Sequence, residues 1–189
     1  SVLRHDPMLV IATALNAFAQ KDIQIYSPDF EVNAVIEQLG ATGRFPAFTD
    51  DGLGVIFSNI GGGKSDGAMT TNIEVTTDIK GGSTQQHIMM TRTHNGGDAN
   101  TAVPNRSYVR VYLPLAARVD DADGFVDPIT GTPAAPEWYT EGSFTVVGGW
   151  TITNPGEKTR VNIHTRRSLN KLSAHYQFRF LRQAGLTPL

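Results

Sequence analysis

Residues 85–117 read QQHIMMTRTHNGGDANTAVPNRSYVRVYLPLAA. They form two extended runs joined by a polar, glycine-rich loop. In the second run, Tyr108, Arg110 and Tyr112 share one parity, and Val109, Val111 and Leu113 share the other. Such alternation predicts a strand with one apolar and one polar face. The first run places Ile88, Met90 and Arg92 on one parity, less cleanly. Asn95-Gly96-Gly97 and Pro104 supply the turn freedom and the strand stop of a wide hairpin. A polar sheet face bearing Arg and Tyr suits contact with an anionic polymer, and suits an ordinary solvated face as well.

Working outward, residues 71–80 (TNIEVTTDIK) alternate Ile73, Val75 and Ile79 against Glu74, Thr76 and Asp78, predicting a strand that turns at Gly81-Gly82-Ser83 into the first run. Residues 52–60 (GLGVIFSNI) read as a short apolar strand ahead of GGGKSDG. A phosphate-cradling loop needs glycine five residues before its Gly-Lys-Ser, and Ser58 stands there, so the stretch reads as a turn. Residues 7–20 are apolar and fit a helix or a strand. Residues 21–30 (KDIQIYSPDF) predict a strand, and residues 29–40 a short helix ending in glycine.

After the second run, residues 118–141 read as a long loop. Asp121, Asp123 and Asp127 around Gly124 partly match a calcium loop, without the terminal Glu of the full pattern. Residues 142–153 predict a strand interrupted by Gly148-Gly149, a place for a bulge or a close approach. Asn154-Pro155-Gly156-Glu157 offers a cap, a proline at the first helical position and a carboxylate three residues on, predicting a helix to about Ser173. Residues 174–189 fit either helix or strand.

The chain has 189 residues, 40% of them hydrophobic, with a formal net charge of −2 and no cysteine. This predicts one domain with a real core and excludes disulfides and thiol chemistry. No apolar run reaches membrane-spanning length, so no membrane partner is expected. The first residues lack the pattern of a signal peptide, and Ser1 fits removal of an initiator methionine. Asp and Glu cluster between residues 118 and 141, and Lys and Arg dominate after Pro155, a segregation that can make a two-sided molecule. The histidines are scattered, with His87 and His94 on opposite faces of one strand. No catalytic motif is present, and neither an enzyme nor a cofactor is expected. Asn105-Arg106-Ser107 fits a glycosylation acceptor, idle without secretion.

NRSYVRVYLPLAA, preceded by HIMMTRTHN and followed by EGSFTVVGGWTITNPGEKTRVNIHTRRSLNKL, resembles the coat protein of single-stranded RNA bacteriophages of the levivirus type over about residues 70–173. The resemblance implies an α+β fold: an antiparallel meander with an N-terminal hairpin, and C-terminal helix packing on the sheet of a dimer partner. It implies a homodimer that builds an icosahedral virion shell around single-stranded RNA in the bacterial cytoplasm. By position, the RNA-facing candidates are Tyr108, Arg110 and Tyr112 on one strand, and Thr91, Arg92 and Thr93 on its partner. Relative to that family the chain carries an extra segment within residues 31–67 and a longer 118–141 loop. Two other readings remain. One is a tail-tube, decoration or connector subunit of a DNA phage. The other is a calcium-dependent β-sandwich, with Asp121, Asp123 and Asp127 as metal ligands, that binds carbohydrate or another ligand.

Overall fold

A computed structural model describes residues 7–19, 22–61, 63–169, 175–181 and 183. It is a mixed α+β protein, mostly antiparallel strands with two α-helices. The chain divides into two compact units, residues 1–46 with 182–188, and residues 47–181 with 189.

The first unit holds α1 (Pro7–Ala19) and α2 (Phe30–Gln38). The helix expected over residues 29–40 forms as α2, and the side chain of Asp29 caps it by accepting from Val32 N–H at 3.0 Å. The strand expected over residues 21–30 does not form. Its described part is irregular, held by a bond from Ile25 N to Ala41 O at 2.9 Å. Alternation alone cannot make a strand where no second strand offers a ladder.

The second unit is a two-layer β-sandwich. One layer is ordered β6-β7-β4-β1-β9, from β6 (Glu137–Glu141), β7 (Phe144–Thr153), β4 (Asn105–Pro114), β1 (Asp51–Asn59) and β9 (Phe178–Leu181). The other is β2-β3-β8-β5, from β2 (Met69–Lys80), β3 (Ser83–His94), β8 (Lys158–Ser168) and β5 (Arg118–Asp123). Leu53, Val55, Val109, Val111 and Leu113 from the first layer, and Ile88, Met90, Val161 and Ile163 from the second, are almost fully buried and form the core. The β2–β3 hairpin turns at Gly81 and Gly82, both at positive φ (58° and 76°), as a two-residue hairpin requires.

The structure departs from three further expectations. The two runs of residues 85–117 are strands, but they do not pair. β3 bonds to β2 and β8, while β4 bonds to β1 and β7. Each run has its own apolar parity, so the two can face each other across the core, and residues 95–104 are long enough to span the roughly 10 Å between layers. The meander is therefore split between two sheets.

The helix expected from Asn154 does not form over Lys158–Ser168, which is β8 (residues 170–173 lie outside the described residues). Glu157 N–H donates to Asn154 O at 2.9 Å and Gly156 sits at φ 81°, so Asn-Pro-Gly-Glu is a turn with Pro second and Gly third. Proline at the first helical position and proline in such a turn look alike in sequence. The alternation of Val161 and Ile163 against Arg160, Asn162 and His164 decides for the strand.

The 118–141 loop contains β5 and β6, which form one edge of each layer. Of residues 174–189, Phe178–Leu181 form β9, parallel to β1, and the structure describes only residues 175–177 and 183 of the remainder.

Candidate nucleic-acid interface

The six RNA-facing candidates separate into three places. Tyr108, Arg110 and Tyr112 lie on the outer face of the five-stranded layer, with Val109 and Val111 turned inward and fully buried. Thr91 and Thr93 lie on the outer face of the four-stranded layer, the opposite side of the sandwich. Arg92 is inside, its side chain 5% exposed.

Arg92 joins the two layers. Its guanidinium lies 4.4 Å over the Phe57 ring, donates to Asn105 Oδ1 at 2.9 Å and stands 3.7 Å from Asp66. Asn105 Nδ2 donates in turn to Ser65 Oγ and to Asp66 Oδ1. Burial lowers the Arg92 pKa to about 10 against the opposing pull of Asp66. Arg92 shares the inner parity with Ile88 and Met90, so it cannot reach RNA from this fold. Asn105, the glycosylation-pattern residue, is fully buried in the same network.

Around Thr91 and Thr93 the outer face carries residues that sequence reading missed. Thr93 stands opposite Lys158 and Thr91 opposite Arg160 on β8, with Thr70 and Asn72 across on β2. Toward the centre, His87 and His164 stack with rings 4.3 Å apart and 5° from parallel. His87 Nε2 meets Asn162 Oδ1 at 3.2 Å, and Asn162 Nδ2 donates to Asp123 at 2.9 Å. At the far end Arg166 pairs with Asp120 at 2.9 Å. The alternating parity of KTRVNIHTR was the signal for this face, and reading it as a helix hid it. His87 and His94 take opposite faces, as their spacing requires, His94 being buried with Nε2 2.9 Å from Val103 O.

On the five-stranded layer the tyrosines are tied to acids. Tyr112 Oη donates to Glu141 at 3.1 Å and Arg110 stands 3.6 Å from Glu141. Burial, then the Glu141 contact, push the Tyr112 phenol up to about 12, with Arg110 opposing. Tyr108 is also raised, chiefly by burial and then by Glu137.

The calcium candidates do not gather. Asp123 is engaged by Asn162, while Asp127 accepts from Ile129 and Thr130 N–H, which hold its carboxyl below the ordinary value. Among the described residues, no group of three or more His, Asp or Glu side chains is placed to hold a metal ion, and no helix is long and apolar enough to cross a membrane. Compared with known proteins, the chain matches no family model, no curated protein and no solved structure.

Proposed function

We propose that the protein is a structural subunit that associates with copies of itself into a closed shell around single-stranded RNA, as the resemblance to RNA-phage coat proteins implies. One observation carries the self-association. The helices of the first unit leave apolar side chains in water, with Met8 70%, Leu9 61%, Leu15 64% and Phe30 86% exposed, and so does Leu39 at the end of α2, 76% exposed. A 13-residue helix without a charged residue is marginal alone in water, and one apolar around its girth normally lies buried. Copies of the same chain supply that cover in a shell.

The RNA contact in this reading is the end of the four-stranded layer bearing Thr91, Thr93, Lys158 and Arg160. Lys158 and Arg160 neutralise phosphates without reading sequence, and the threonines donate to them. Arg92 is withdrawn from the RNA contact because it is buried.

Electron microscopy of the bacterially expressed protein, with nuclease treatment and extraction of retained nucleic acid, tests this directly. Closed particles holding protected RNA are expected, and Lys158→Glu with Arg160→Glu empties them. Tubes or rings without RNA point to a DNA-phage component, and a lone monomer overturns self-assembly.

A further inference from the structure

The outer face of the five-stranded layer is a second surface with different chemistry. Across β1, β4, β7 and β6, one row reads Ile56, Arg110, Gly148 and Glu137, and the next row toward the far end of the strands reads Ser58, Tyr108 and Trp150. On the other side lies a row of Gly54, Tyr112, Val146 and Tyr139. Gly148 leaves a gap among these side chains, and the phenol end of Tyr108 extends over it; a Cβ there would collide with the Tyr108 hydroxyl. Tyr108 meets the Trp150 ring edge-on at 5.4 Å and 68°. Trp150 is half-buried and Tyr139 is 38% exposed.

Around Tyr108 and Trp150 the charges on this face balance. Arg110 and Arg106 bring two guanidiniums, and Glu137 and Glu141 bring two carboxylates. Arg110 is already beside Glu141, and Arg106 is turned to Pro128 O at 2.6 Å. A polyanion needs uncompensated cations, which bind by releasing its counterions. Around Tyr108 and Trp150 the guanidiniums are already engaged, and the exposed Arg179 stands beside Gly52 on the edge strand β9, at the opposite corner of the layer. Half-buried aromatic rings flanked by carboxylates and a guanidinium suit a neutral, hydroxyl-rich ligand. The C–H face of a pyranose packs on the rings, and its hydroxyls donate to Glu137 and accept from Arg110. We propose that this face binds a neutral glycan through Tyr108, Trp150, Arg110 and Glu137. The binding is independent of calcium and does not depend on the RNA-shell reading.

The test is retention of the full-length protein on a panel of immobilised neutral hexasaccharides. The panel spans α- and β-linked glucose, mannose, galactose and N-acetylglucosamine, with oligo(U) RNA alongside, in the presence of a calcium chelator. Binding of at least one hexasaccharide is expected, with a saturable change in Trp150 emission in a Trp138→Phe background. Tyr108→Ala weakens it by about tenfold or more, as loss of a central aromatic contact does. Glu137→Arg, at an exposed position that leaves the core untouched, abolishes glycan retention and gives the face affinity for oligo(U). If Tyr108→Ala fails to fold by circular dichroism, the Glu137→Arg result decides. Retention of no hexasaccharide overturns the proposal, as does glycan retention unchanged in Glu137→Arg. Quenching of Trp150 by oligo(U) in the parent chain also overturns it, and assigns the face to nucleic acid instead.

Discussion

Arg92 sits where the sequence places a basic residue on a strand beside threonines, and its neighbours turn it from a surface cation into an interlayer strut. Its Nε has no hydrogen-bond partner while its other nitrogens serve Asn105 and Asp66. Arg92→Ala should cost about 2–3 kcal/mol, since Asn105 and Asp66 lose a buried donor but Asp66 keeps access to water. A lower urea midpoint with unchanged RNA content in the particles that still form is the expected result. RNA loss without destabilisation would contradict the buried role.

Tyr112 makes a prediction at high pH. Its phenol holds its proton to about 12 in the fold against an ordinary value of 10.0. The folded state therefore binds this proton more tightly, and the stability it contributes is fully present below pH 10. That contribution is lost as pH rises through about 12. Denaturant midpoints should fall between pH 10 and 12, in step with a late phase of phenolate absorbance, and Tyr112→Phe should flatten that fall. An unchanged decline in the variant would assign it to other groups.

At the scale of elements, β8 is the sharpest case, because helix and strand make opposite demands on the same residues. In a helix Arg160 and Ile163 share a face; in β8 they lie on opposite faces, Ile163 fully buried and Arg160 exposed. Ile163→Ala should cost about 2–5 kcal/mol. Arg160→Ala should change stability by no more than about 0.5 kcal/mol. Chemical denaturation separates the two, and comparable losses at both positions would contradict the strand. The strands β2, β3 and β4 were legible because each carries a two-residue period, β1 and β7 as short runs bounded or broken by glycine, and α2 because Val32, Val35, Ile36 and Leu39 recur at helical spacing before Gly40. β5 and β6 were not, since DADGFVDPITGTP reads as turn chemistry and their pairing with β8 and β7 depends on residues far along the chain.

For the whole molecule, the division into two units suggests a division of labour. The sandwich of residues 47–181 has its own core from both layers, while the first unit leaves most of its apolar helix surface exposed. A chain lacking residues 1–46 should unfold cooperatively and sediment as a monomer, while the full chain assembles. Assembly that survives the truncation would move the association surface onto the sandwich. The site follows the same logic. Sequence alternation gave Tyr108, Arg110 and Tyr112 a common face, as the structure has them. Thr91, Arg92 and Thr93 were candidates only by position in the resemblance, and the strand turns Arg92 inward and the two threonines outward.

The sequence by itself determined the local periods: which residues of a strand share a face, where Gly81-Gly82 closes a hairpin and where a short helix ends at Gly40. These follow from nearest-neighbour sterics and the pleat, which operate within a few residues. Only the tertiary structure decided that β3 and β4 face each other across a core instead of pairing. Only it set Lys158 and Arg160 beside Thr93 and Thr91. Those outcomes depend on which distant strand supplies the ladder and which apolar face is covered. Long-range burial and pairing set both, and no local pattern encodes them.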